Sequence, residues 1–246
     1  MAAVSTDAQR MPGGAPPTPN FGGAMVKLFG DNSSFSATLE LRVKPVASEE
    51  PMQMQGKLAC LEGKSRFEVD MSKITSSRIP PAAAAQMQSM GLSQMVMISR
   101  PDKSLNCLVY PNLKAYVEMP MQDADAAKSA SDFKIETTEL GKETVDGHPC
   151  VKNKAVVTDS QGNKHESTVW NATDLRSFPV KIEMVLPGTG ESSVASTMLF
   201  KDISFSKPEA GLFDPPNDFT KYDSMMAMMQ QEMMKHMGQQ RPPHSP

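Results

Sequence analysis

The sequence lacks the signals of several protein classes. No stretch of its 246 residues is as long and apolar as a membrane-spanning helix. Basic and acidic side chains are balanced, 25 against 28, with no basic block and few aromatic residues, so nucleic acid is not expected as a partner. The three cysteines form no CxxC pair, and they permit either one disulfide with a free thiol or three buried thiols.

Common catalytic motifs are also missing. The chain has no GxSxG, GxxxxGK[ST], HExxH or GxGxxG pattern. Its histidines stand in separate contexts, and His165 and Glu166 would point to opposite faces if they are neighbours on a strand. We therefore expect a protein that is not an enzyme and that has no resident cofactor.

Alternation of apolar and polar residues is the main pattern present. From Phe35 to Val43 every second residue is apolar, which predicts a half-buried strand, and similar runs recur along the chain. Turn sequences such as EGKS and DSQGNK separate these runs. The sequence thus predicts a mainly β protein with helices, an open, curved antiparallel half-barrel of about 10–11 strands. We expect the helices to form a lid over the concave face.

Composition divides the chain into three parts. Residues 1–23 are rich in proline and glycine and are expected to be a disordered leader. Residues 24–223 carry the strand pattern of the half-barrel domain, and residues 224–246 form a methionine-rich amphipathic helix with a disordered tail. The leader contains no apolar segment typical of an export signal, so we expect that an exported form has lost its signal peptide.

Five segments carry a family resemblance. They are the opening strand "NSSFSATLELRVK", the hairpin "GKLACLEGKSRFEVDM", the run "MISRPDKSLNCLVYPNLKAYVEM" with its tyrosine-proline corner, the later section "GKETVDGHPCVKNKAVVTDSQGNKHESTVWNATDLRSFPVKIEMV", and the closing element "SKPEAGLFDPPNDFTKYD". In this order they resemble the LolA-like superfamily of periplasmic lipoprotein carriers, and the chain looks like an uncharacterised relative rather than LolA itself. The resemblance implies an incomplete antiparallel barrel, an apolar cavity for acyl chains, and a periplasmic or otherwise exported protein.

We therefore expect the concave face to hold an apolar ligand, namely an acyl chain, a lipid or a lipoprotein. Methionine suits such a wall because its unbranched side chain adapts to different ligands. The predicted lining residues are Leu39, Leu41, Phe67, Met97, Val109, Val117, Trp170, Ile182, Met184 and Phe200. The same residues would also suit a filled core, in which case the protein would be an interaction or sensor module of the cell envelope.

The segment "SMMAMMQQEMMKHMG" is the most unusual of the chain. At helical spacing its apolar stripe consists of Tyr222, Met226, Met229, Met233 and Met237. Only Met228 breaks this pattern. Such a helix needs an apolar partner, which could be the domain itself, an envelope protein or lipid. Copper is the alternative, because thioethers favour Cu(I). The candidate copper ligands are Met229, Met233, His236 and Met237.

Overall fold

A computed structural model describes residues 23–45, 51–75, 81–121, 133–159, 161–187 and 193–239. Residues 1–22 of the predicted leader and 240–246 of the predicted tail lie outside this range. The helices in the described residues are α1 (Ala24–Leu28), α2 (Pro81–Ser89) and α3 (Met225–Gln239). The strands are β1 (Ser34–Pro45), β2 (Met52–Leu61), β3 (Lys64–Asp70), β4 (Gln94–Arg100), β5 (Leu105–Tyr110), β6 (Ala115–Pro120), β7 (Lys134–Val145), β8 (His148–Thr158), β9 (Lys164–Ala172), β10 (Phe178–Pro187), β11 (Ser193–Ser204) and β12 (Thr220–Tyr222).

All of these strands belong to one open sheet. Its order is β12-β6-β5-β4-β3-β2-β1-β11-β10-β9-β8-β7, so β7 and β12 are the edges and the sheet does not close into a barrel. Every neighbouring pair is antiparallel except β12 and β6, which run parallel. The prediction of an open, curved antiparallel sheet with helices is confirmed. The strand count is 12 in the described residues, and β12 is only three residues long, too short for alternation to reveal it.

One face of the sheet, which we call the inner face, carries most of the core. Leu39, Leu41, Ile182 and Phe200 on this face are at most 3% exposed. The outward neighbours of these residues are polar, for example Glu40 and Lys201, as expected for a half-buried sheet. The central strands therefore combine a buried apolar face with a solvated polar one.

Helix α1 closes one part of this core with aromatic contacts. Phe29, which follows the helix, lies 4.9 Å from Phe35, 5.5 Å from Phe178 and 5.5 Å from Phe200 between ring centres. The ring of Phe29 meets that of Phe200 edge to face, an arrangement that adds to the stabilisation from burial. These rings anchor the start of the described chain to β1, β10 and β11.

A smaller cluster lies on the outer face of β2, β4 and β5. It contains Leu61, Val96, Ile98, Cys107, Val109 and Phe213. Phe213 ends a short 3-10 turn, Ala210–Phe213, and is fully buried. This turn covers the outer face here, so β4 and β5 are buried on both faces.

Arg100 fixes the turn in place. Its guanidinium donates two hydrogen bonds to Asp102, at 2.9 and 2.8 Å, and a third to the carbonyl oxygen of Phe213 at 3.2 Å. It also contacts the carboxylate of Asp214. Hydrogen bonding from Arg100 lowers the pKa of Asp102. Burial raises the pKa of Asp214. The hydrogen bond from Lys103 and the charges of Arg100 and Lys103 outweigh this effect, so the pKa of Asp214 is lowered overall.

Helix α3 packs on the sheet next to β6 and β12, but not through the predicted stripe. Met228 is 0% exposed, whereas Met226 is 69% and Met229 is 38% exposed. The prediction that Met228 breaks the buried pattern is therefore wrong. The Ser224 hydroxyl accepts a hydrogen bond from the Ala227 amide at 3.1 Å and so caps the start of the helix.

Polar contacts explain this orientation of α3. The Tyr222 hydroxyl donates to Glu232 Oε1 at 2.9 Å and accepts from Lys235 Nζ at 3.2 Å. Residues 228, 232 and 235 share one side of a helix, so these bonds turn Met228 toward the sheet. Counting methionines could not predict this, because the bonds depend on where β12 places Tyr222.

Candidate apolar binding face

Cross-strand register places a row of small and flexible side chains near one end of the inner face. Val43 pairs with Met52 and with Ser196, and Met184 pairs with Ser196 and with Ser167. Residues that lie directly opposite in an antiparallel sheet share a face. We call this row the mouth row. Its members are Met52, Val43, Ser196, Met184, Ser167 and Ala155.

The next row along the strands is built from larger side chains. It consists of Met54, Leu41, Met198, Ile182 and Val169. Each of these residues is at most 4% exposed. In the mouth row, by contrast, Met52 and Met184 are only half-buried, and three of the other members are serine or alanine. The inner face is therefore closed at its centre, and in the mouth row Met52 and Met184 remain partly accessible.

A second accessible stretch crosses the other half of the inner face. Phe67 pairs with Met97, Met97 with Leu108, and Leu108 with Val117. Phe67 and Val117 are buried, but Met97 and Leu108 are half-buried. Tyr222 of β12 continues this row beside Val117, so α3 lies at its end.

The structure brings eight of the ten predicted lining residues to the inner face. Leu39, Leu41, Phe67, Val117, Ile182 and Phe200 are buried there, and Met97 and Met184 are half-buried there.

Val109 is not among the eight, and its prediction requires correction. It belongs to the outer cluster beneath Ala210–Phe213. In "SLNCLVY" nearly every residue is apolar, because β5 is buried on both faces, so alternation could not assign Val109 to a side.

Trp170 has surroundings that differ from those of an apolar wall. The ammonium groups of Lys152 and Lys181 lie 4.9 and 4.1 Å from the centre of its ring. Its indole N–H donates to Glu143, and this hydrogen bond lowers the pKa of that carboxyl group. Only 3% of Trp170 is exposed. The ring is therefore held in a cage of charged side chains rather than at an accessible apolar surface.

Sequence reasoning missed two serines of the mouth row. Alternation in "HESTVW" and "VASTML" puts Ser167 on the side of Val169 and Ser196 on the side of Met198, so the signal was present. Both serines are buried, at 8% and 3% exposure. Among the described residues, the Ser167 hydroxyl has no hydrogen-bond partner.

A cavity of about 750 Å³ lies along β8 to β11. Most of its lining residues, including Lys154, Glu166, Glu183 and Val185, point away from the mouth row, so the cavity lies on the outer face. Ser167, Met184 and Ser196 line it through main-chain atoms, because their side chains point to the inner face.

We next consider metal ligands and reactive thiols among the described residues. No group of three or more His, Cys, Asp or Glu side chains in this part of the chain is arranged to hold a metal ion. The thiols of Cys60, Cys107 and Cys150 are free and buried, which settles the sequence alternatives in favour of three buried thiols. Burial raises the pKa of Cys107 to about 11 and also raises that of Cys150, so both are weak nucleophiles.

The copper hypothesis stays a prediction. Met229 lies on α3 and is partly exposed, but the side chains of Met233, His236 and Met237 fall outside the described part of the structure. Across the described residues, none of the helices has the length and apolar character needed to cross a bilayer.

Comparison with solved structures gives matches at low sequence identity and low TM-score. A LolA superfamily protein from Nitrosomonas europaea is 10% identical with a TM-score of 0.40, and the match covers 78% of this chain and 97% of that one. The lipoprotein LppX from Mycobacterium tuberculosis is 11% identical with a TM-score of 0.38, covering 72% and 93%. At these values neither protein indicates what this chain binds.

Sequence comparison with curated proteins gives no match. A family model does match, over residues 51–199, from β2 to the middle of β11. The matched region contains every mouth-row residue except Val43. Because this match covers more than half of the chain, the protein belongs to the family described as "Domain of unknown function (DUF4412)".

Proposed function

We propose that the inner face binds an acyl chain of a lipid or lipoprotein at the mouth row, and that the protein is a non-catalytic binding protein of an exported compartment. The observation that carries the proposal is the change in side-chain size along the strands. Met52 and Met184 are half-buried beside Ser167 and Ser196, while the next row is large, apolar and closed.

The energetics favour a hydrocarbon at this position. Each methylene group that leaves water contributes about 0.8 kcal/mol, so a few methylenes seated against Met52 and Met184 suffice for measurable affinity. The thioether side chains can change rotamer around chains of different shape at little cost. Small neighbours leave space for this movement, which a bulky residue at position 167 or 196 would remove.

The exported location is a separate part of the proposal. It is supported by the sequence motifs that resemble periplasmic carriers. Fractionation of cells that express the native gene tests it directly. Recovery of the protein from the cytoplasmic fraction alone would contradict it.

Titration with a fluorescent acyl-chain probe tests binding at the mouth row. Met184→Glu places a carboxylate where the chain would lie, and we expect it to weaken binding at least about tenfold because the charge must be desolvated. The matched control is Val185→Glu, since Val185 is the next residue, is 65% exposed and points to the other face. Leu41 is unsuitable for this test, because it is 3% exposed and a charge there would unfold the protein.

Two outcomes would contradict the proposal. Equal loss of binding in Met184→Glu and Val185→Glu would show that the probe does not contact the mouth row. A wild-type protein that binds no acyl probe would favour the filled-core alternative, an envelope interaction module.

A further inference from the structure

The Ser167 hydroxyl is the most unusual polar group of the inner face. It is buried and has no hydrogen-bond partner in the residues that the structure describes. Its cross-strand neighbours are Met184 on β10 and Ala155 on β8, neither of which offers a hydrogen-bonding side chain of ordinary strength. The Ser167 hydroxyl thus lies between two apolar cross-strand neighbours.

This arrangement disfavours the empty state of the protein. A buried donor without a partner loses its bonds to water and gains none in return. Unsatisfied buried groups are rare in native proteins, and where they occur a partner from outside the chain is a common explanation. Alanine, already present at position 155 in the same row, would avoid this cost.

The charges around Ser167 decide which ligand group fits. Lys154 and Glu166 are the chain neighbours of Ala155 and Ser167, so they point to the opposite face, where they form an ion pair at 2.9 Å. No residue of the mouth row carries a positive charge. A free carboxylate placed there would have to give up its hydration without compensation, whereas a neutral carbonyl needs only one donor.

We propose that Ser167 donates its hydroxyl hydrogen to the carbonyl oxygen of an ester- or amide-linked acyl chain. This inference rests on the proposed function and narrows the ligand to neutral acyl groups rather than free fatty acids. The hydrocarbon then extends over Met184 and Met52.

Three competitors of similar chain length separate the contribution of the carbonyl group from that of the hydrocarbon. Methyl palmitate, palmitate and heptadecane are each used below their aggregation limit to displace the fluorescent acyl probe from the intact protein. We expect the wild type to prefer the ester to both the alkane and the free acid. Ser167→Ala should lower the ester affinity about 2- to 12-fold, the range of one neutral hydrogen bond, and leave the alkane affinity unchanged.

The control is Ser65→Ala. Ser65 is 4% exposed and lies on the side of Phe67 in the other half of the inner face, so its removal should leave the ratio of ester to alkane affinity unchanged. Melting temperature gives a second measure, because Ser167→Ala removes an unpaired hydroxyl and should not lower the melting temperature of the ligand-free protein.

The outcomes distinguish the two proposals. If the wild type binds neither ester nor alkane, the proposed function fails. If both bind, but Ser167→Ala leaves their ratio unchanged or the free acid binds more tightly than the ester, the role of Ser167 is overturned while the apolar site stands.

Discussion

Two methionines of α3, Met226 and Met228, are separated by one residue but lie in opposite environments. Met228 is 0% exposed and Met226 is 69% exposed. Truncation of a fully buried methionine to alanine costs about 2–5 kcal/mol. At an exposed helical site the same change stays within about 0.5 kcal/mol, and alanine is a good helix former. Met228→Ala should therefore release α3, whereas Met226→Ala should not.

The loss of stability in Met228→Ala is expected to be confined to α3. Besides Met228, α3 is held by the half-buried Met225 and by the bonds of Tyr222 to Glu232 and Lys235, and each such bond contributes about 0.5–1.5 kcal/mol. Met228 is fully buried, so we expect its burial to be the largest contribution to the docking of α3. The β strands keep their own pairing, so the sheet should stay folded while the helix opens.

Hydrogen exchange measured by mass spectrometry reports separately on α3 and on the strands of the sheet. In Met228→Ala we expect the amides of α3 to lose protection about 30-fold or more, the equivalent of 2 kcal/mol, with β1 and β2 unchanged. Met226→Ala is the control for helix propensity and methionine loss. Equal effects of the two variants, or a larger effect of Met226→Ala, would refute the orientation of the helix.

Two further predictions concern the rest of the sheet. The pKa values of Asp102 and Asp214 are lowered in the folded protein, so their stabilising effect is present above the unfolded value of about 3.9 and is lost as pH falls through the folded value. Urea midpoints should therefore fall between pH 7 and pH 3, and less so in Asp214→Asn; an equal fall would contradict the ion pair. Gly56→Ala should destabilise by about 1–3 kcal/mol in urea denaturation, because its Cβ would lie 2.6 Å from the Phe67 ring. Gly211→Ala, with open space around its Cβ, is the control, and equal stability of the two variants would contradict this packing.

Alternation in the sequence predicted much of the fold and part of the candidate site. The pattern from Phe35 to Val43 is confirmed as a half-buried strand. Short turns between successive runs make antiparallel pairing the expected arrangement, since a parallel connection needs a much longer crossover. Leu39, Leu41, Ile182 and Phe200 follow from the same rule and lie together on the inner face.

The sequence by itself determined which residues share a face of a strand, because consecutive side chains in extended backbone point in opposite directions. It did not determine what covers each face. Val109 lies beneath Phe213, and Met228 faces the sheet because Tyr222 bonds to Glu232 and Lys235 on the same side of α3. The isolation of the Ser167 hydroxyl likewise depends on Met184 and Ala155 from other strands. These contacts join segments far apart in the chain, so only the tertiary structure decided them.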